Sequence, residues 1–131
     1  MVTTPQAVSL EDMRKAAVAM NKVNIPILGI VENMSGYTCR HCGEIEYLFG
    51  KGGGKRVALE FEVPFLGEIP LDPRVMVGGD DGKPVVVHEP ESPAAQALTR
   101  VARAAAAQVS ILAADRGGSD APEWPRPLPT S

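Results

Sequence analysis

Residues 27–31 read Ile-Leu-Gly-Ile-Val, a continuous apolar run of strand length. It lacks the alternation of a half-buried strand, so it predicts a strand covered on both faces, as in a parallel sheet. Its carboxyl end delivers Glu32, Asn33 and Met34. A second run, Val-Pro-Phe-Leu-Gly-Glu-Ile-Pro at residues 63–70, ends in the polar corner Pro70-Leu71-Asp72-Pro73. Between them lies a helical stretch carrying Val57, Ala58 and Phe61. Strand, loop, helix, strand in this order implies a right-handed parallel crossover. Both carboxyl ends then share one edge, with Asn33 beside the Leu71-Asp72 corner. Ligands of open α/β sheets bind at such an edge. The structural alternative for Asn33 is a side chain that bonds its own turn.

The flanking segments complete an α/β pattern. Ser9 is read as a helix cap, with Glu11 and Asp12 near the positive end of the helix dipole. Leu10, Met13, Ala17 and Met20 form one apolar face, so this helix is expected to run to about Lys22, where Asn24 and Pro26 break it. Val85-Val86-Val87 reads as a short strand, with His88 as a structural histidine at its end. Ser92 caps a last helix with Pro93 at its first position. The buried stripe of that helix is read as Ala94, Leu98, Val101, Ala105, Val109 and Leu112. Residues 1–113 form the expected folded unit, and 114–131, rich in Gly, Pro and polar residues, the expected disordered tail. The opening Val2-Thr3-Thr4-Pro5 reads as the last residues of a strand. On that reading the chain is the back part of a longer protein.

The chemistry concentrates in residues 31–42, Val-Glu-Asn-Met-Ser-Gly-Tyr-Thr-Cys-Arg-His-Cys. Cys39 and Cys42 are the only two cysteines among 131 residues. Thiolates at Cys-x-x-Cys spacing converge on one metal ion or iron–sulfur cluster, because the turn between them brings both sulfurs to one side. A tetrahedral zinc or a cubane cluster needs four ligands, so two are missing. The simplest source is a second copy of the same loop across a twofold axis. The same spacing also fits a thioredoxin-type dithiol, half a zinc ribbon, or two incidental thiols. Gly36 and Gly43 flank the pair and favour an adaptable loop over a helix opening. His41 is read as facing solvent or standing behind the ligating pair.

Composition narrows the remaining classes. Apolar residues make up 44% of the chain, which permits a core. A net charge of −3 argues against a nucleic-acid footprint. No apolar run approaches spanning length and no secretory signal is recognised, so a membrane partner is not expected, reduced thiolates are favoured over a disulfide, and a cytoplasmic location is expected. The stretch Gly50-Lys51-Gly52-Gly53-Gly54-Lys55-Arg56 is not a phosphate loop. Its glycine spacing is one residue short, Arg56 stands where a hydroxyl residue is required, and no apolar strand precedes it. It reads as a basic loop opening a helix whose amino end could receive an anion only weakly. No catalytic grouping of Ser, His and Asp, or of paired carboxylates, emerges.

Several ordered motifs together carry a resemblance. These are Gly29-Ile-Val-Glu-Asn-Met-Ser, Cys39-x-x-Cys42-Gly, Phe49-Gly with Gly52-Gly53-Gly54, and Val63-Pro-Phe-Leu-Gly-Glu-Ile-Pro-Leu-Asp-Pro73. The opening Thr3-Thr4-Pro5-Gln6 and the Gly82-Lys-Pro-Val-Val stretch also fit. Over residues 2–110 the chain resembles the Mrp/ApbC family, MinD-like P-loop ATPases that carry or scaffold iron–sulfur clusters. The resemblance implies the C-terminal part of a doubly wound parallel sheet, incomplete without its front strands. It implies a homodimer whose 4Fe–4S cluster is bridged by Cys39 and Cys42 of each subunit and passed to apo iron–sulfur proteins. It implies adenine recognition by Asn33, Pro70 and Asp72, with ATP and Mg in the full-length family. The family's two-lysine phosphate loop and magnesium-positioning acids have no counterpart in this sequence, so no ATP hydrolysis is expected from this chain alone. The alternatives are a zinc-bridged structural dimer, a protein-docking fragment without cluster chemistry, and a dithiol oxidoreductase.

Overall fold

The computed structural model describes residues 1–39 and 41–115. Along these the elements are β1 (Val2–Thr3), α1 (Ala7–Lys22), β2 (Ile30–Thr38), β3 (Ile45–Glu46), α2 (Gly53–Glu60), β4 (Phe65–Leu71), α3 (Pro73–Asp80), α4 (Val85–His88) and α5 (Pro93–Asp115). β2 is the centre of the sheet. β1 and β4 both pair with it in parallel, and β3 pairs antiparallel with its far end through Tyr37 and Thr38. The parallel crossover expected from the two apolar runs is present.

Both faces of β2 are covered, as the unbroken apolar run requires. Ile30 points into one core with Leu10, Met13, Val57 and Ala58 of α1 and α2. Val31 points into the other with Ile69 and Ala97 of β4 and α5. Successive strand residues face opposite sides. Each such burial contributes about 1.5–3 kcal/mol.

Gly29 makes the strand entry possible. Its φ is +151°, and a Cβ there would lie 2.6 Å from the Pro64 carbonyl oxygen. That closeness lets Pro64 O accept from Ile30 N at 2.9 Å and align β4 with β2. The strand therefore starts at Ile30, later than residue 27, and runs on through the polar residues to Thr38.

Other expectations are corrected. α1 starts at Ala7 behind Gln6, so Ser9 lies within its first turn; its Oγ accepts from Thr4 Oγ1 at 2.8 Å instead of capping. Residues 85–88 are a helical turn, not a strand. Val87 N and His88 N both donate to Pro84 O, and among the described residues no strand is placed to pair with them. Ser92 does cap α5, accepting from Ala95 N at 3.2 Å. Of the α5 stripe, Ala94 is buried and Leu98 and Val101 pack half-buried against the Val31, Ile69 and Ala97 core, whereas Val109 is 50% exposed. α5 continues through Asp115, beyond the expected boundary at 113, and the rest of the expected tail lies outside the described residues.

Candidate cluster site and the ligand edge

The cysteine loop grows out of the end of β2. Cys39 follows the last strand residue, and its N–H donates to Glu44 O at 2.8 Å, which continues the hairpin to β3. Gly43 N donates to Cys39 O at 2.9 Å and closes the turn. Gly43 has φ +76°, a conformation open to glycine at little cost. Both cysteines are free, Cys39 partly exposed and Cys42 exposed. The backbone N–H groups of Cys42 and then His41, with the Cys42 side chain, hold the Cys39 thiol below its ordinary pKa. Donors aimed at a sulfur favour its thiolate, the form that binds metals. Cys42 Sγ lies 3.8 Å from Glu44 Oε2, a weak contact.

The donor set fits half of a cluster or zinc site. Among the described residues, no group of three or more His, Cys, Asp or Glu is placed to hold a metal ion. His41, between the two cysteines, is exposed.

Asn33, Pro70 and Asp72 lie on the carboxyl edge of the sheet, but they do not converge on one cavity. Asn33 pairs in register with Ile69. Its Oδ1 accepts from Met34 N at 2.9 Å, the self-bonded arrangement of the structural alternative. Asn33 opens on a cleft of about 520 Å3 lined also by Thr3, Thr4, Ser9 and Asp12. Pro70 and Asp72 instead line a cavity of about 160 Å3 together with Cys39, Thr38, Arg74 and Pro93. Asp72 caps α3, accepting from Arg74 N at 3.0 Å, and its carboxylate also pairs with the Arg74 guanidinium at 2.6 Å. Asp72 and Glu89 together raise the Arg74 pKa, with the Asp72 hydrogen bond the larger cause. The second half of the expected adenine set thus shares its cavity with Cys39, a candidate cluster ligand.

Sequence reading missed Glu32. It is 0% exposed, and its carboxylate accepts from Gly52 N at 3.1 Å and from Gly54 N at 2.6 Å. These are amide donors at the amino end of α2, where the helix dipole favours negative charge. The Glu32 carboxylate thus takes up two of the amides at this helix end. A Cβ on Gly54 would lie 3.0 Å from Glu32 Cβ, so the glycines permit this close approach. The available signal was a lone acid on an otherwise buried strand, followed by three glycines opening a helix.

Comparison with known proteins places this arrangement. Residues 1–106 match the family described as ParA: NUBPL iron-transfer P-loop NTPase. The chain belongs to this family. A relative from Trichoplax adhaerens, a cytosolic Fe-S cluster assembly factor NUBP2 homolog, is 52% identical over 103 residues, covering 79% of this chain and 39% of that protein. An iron-sulfur cluster carrier protein of Pseudomonas fragi is 45% identical, covering 72% of this chain and 33% of that one. The cell division ATPase MinD of Pyrococcus furiosus matches with a TM-score of 0.61 and 31% identity, over 84% of this chain and 40% of its own. The septum site-determining protein MinD of Pyrococcus horikoshii, complexed with Mg-ADP, matches with a TM-score of 0.60 at 29% identity, over 90% and 44%. This member of the iron-transfer family spans about two fifths of the length of these assembly factors. Its α/β fold is that of MinD-type P-loop ATPases, and its relatives point to an iron–sulfur role. No helix among its described residues is long and apolar enough to cross a membrane.

Proposed function

We propose that this chain carries a labile iron–sulfur cluster, of 4Fe–4S type, between two copies of itself and passes it to apo iron–sulfur proteins. The observation that carries the reading is the pair of accessible thiols on a backbone turn whose N–H groups favour the Cys39 thiolate, with no further ligand assembled around them among the described residues. Two copies supply four thiolates. The cluster is the cargo. The chain's own contribution is to present both sulfurs at the surface, where an acceptor thiol can attack and exchange. A cytosolic setting, as in the names of the relatives, suits reduced thiols.

The nucleotide part of the reading belongs to the longer family. Asn33, Pro70 and Asp72 are the adenine-side candidates, and magnesium and the phosphates of ATP are held by residues outside this sequence. Residues 1–113 act as the C-terminal part of such an ATPase unit. The test is transfer: protein reconstituted with iron and sulfide is mixed with an apo-ferredoxin and the acceptor's spectrum is followed. The acceptor is expected to gain its cluster faster from this protein than from free iron and sulfide at equal concentration. Equal rates would contradict a carrier role. A zinc-bridged dimer would stay colourless in the same experiment.

A further inference from the structure

Arg74 stands between two carboxylates at the wall of the cysteine cavity. Its Nε donates to Asp72 Oδ1 and Oδ2 at 2.9 and 3.0 Å, its Nη2 to Asp72 Oδ2 at 2.6 Å, and its Nη1 to Glu89 Oε2 at 3.0 Å. Asp72 caps the start of α3 and Glu89 follows the end of α4, so the guanidinium is clamped from two elements. A planar fork held at several points has little freedom to swing away. The cavity of about 160 Å3 that it lines also holds Cys39. Among the described residues lining that cavity, Arg74 is the one cation.

The carboxylates of the cysteine loop act the other way. Cys42 Sγ lies 3.8 Å from Glu44 Oε2, and both Glu44 and Glu46 are exposed. Thiolates gathered on a metal or cluster bring more negative charge than its core cancels, and the net charge around a cluster tunes it. A nearby fixed cation offsets that charge. A purely structural role competes with this one. Asp72 is only 10% exposed and needs a partner, and α3 has no buried residue, so the same bridges also tether that helix to α4. The two roles differ in sign. A tether is lost whichever end of the Arg74–Glu89 bridge is changed. The field at Cys39 becomes more negative when the cation is removed and more positive when the anion is replaced.

We propose that Arg74 is a positioning residue for the metal–thiolate centre: clamped by Asp72 and Glu89 at the wall of the Cys39 cavity, its guanidinium offsets the negative charge gathered on Cys39 and Cys42. The proposal rests on the cluster reading above.

The test measures the apparent zinc affinity of the full chain at fixed chain concentration, by anaerobic competition with a chromophoric chelator. Zinc is the probe because it takes the same thiolates and is redox-silent. Arg74→Gln is expected to weaken the affinity at least about fivefold. Glu89→Lys breaks the same bridge, at a side chain 47% exposed, yet is expected to tighten it at least about twofold. Arg14→Gln removes a cation paired with Glu11 and Glu60 on the α1–α2 face, and is expected to stay within about twofold of the parent. Weakening in both Arg74→Gln and Glu89→Lys assigns the bridge to structure alone and overturns the proposal. A smaller loss in Arg74→Gln, or a larger shift in Arg14→Gln, overturns it too. So does a Glu89→Lys affinity that fails to tighten, a criterion that stands even where Arg74→Gln does not fold. Reconstitution of the parent with iron and sulfide keeps the two readings apart. A chain with these zinc shifts that takes up no cluster retains the role of Arg74 and loses the carrier reading. A chain that takes up a cluster without these shifts does the reverse, and a chain that binds no zinc overturns the proposal.

Discussion

The Glu32 carboxylate accepts the Gly54 amide at 2.6 Å, and so a side chain from the middle strand holds the amino end of the helix that follows the cysteine loop. The excursion from residue 39 to residue 52 is tied at both ends. The β2–β3 pairing through Tyr37 and Thr38 fixes its start, and Glu32 fixes its return. Each oxygen of the buried carboxylate has a backbone donor.

Glu32→Ala leaves the Gly52 and Gly54 amides without this acceptor. Unsatisfied buried donors cost about 1–3 kcal/mol each. We expect a loss of about 2–4 kcal/mol in urea unfolding, with Glu32→Gln losing less because its amide oxygen still accepts. A change below about 0.5 kcal/mol for Glu32→Ala would show that the contact is not a clasp.

Gly29→Ala drives a methyl group against Pro64 O and Leu66 at 2.6 and 2.7 Å, in a backbone conformation unfavourable to alanine. The crossing of β2 and β4 must open to admit it. The expected cost is at least about 3 kcal/mol, read as a lowered melting temperature. Gly52→Ala, at φ +68° with open space around it, is expected to cost only about 1–2 kcal/mol.

Cys39→Ser and Cys42→Ser each remove one thiolate per chain, two per bridged cluster. Each is expected to abolish cluster retention. Neither side chain is in the core, so thermal stability of the metal-free protein is expected to stay within about 0.5 kcal/mol of the parent. A single variant that retains a full cluster would contradict bridging.

The chain alone is expected to release no phosphate from ATP in the presence of magnesium. The triphosphate is the main anchor of such sites. The helix start that most resembles a phosphate cradle is filled by Glu32. A colorimetric phosphate assay on a clean preparation checks this, and magnesium-dependent release would contradict it.

The parts of the fold that the sequence made legible are those with a local cause. The unbroken apolar run at Ile30 and Val31 did mark a strand covered on both faces, and Ser92-Pro93 did start α5. What stayed hidden depended on distant contacts. The three valines after Pro84 have strand propensity, but no strand among the described residues lies beside them, and the Val87 and His88 amides turn back on Pro84 O. The distal stripe of α5 is apolar, yet Val109 and Ile111 remain exposed in this chain. Glu32 looked like the end of a strand because its partners are 20 and 22 residues away. That Cys39 lines a different cavity from Asn33 was not readable from spacing, because it depends on how β2 and β4 pair.

Anaerobic reconstitution with iron and sulfide, followed by metal and sulfide counts and mass by light scattering, tests the central claim most directly. A brown dimer holding about four irons per two chains is the predicted result, since one cubane then takes two thiolates from each copy. A colourless monomer that binds no metal, or a dimer that holds zinc and refuses iron, would contradict it.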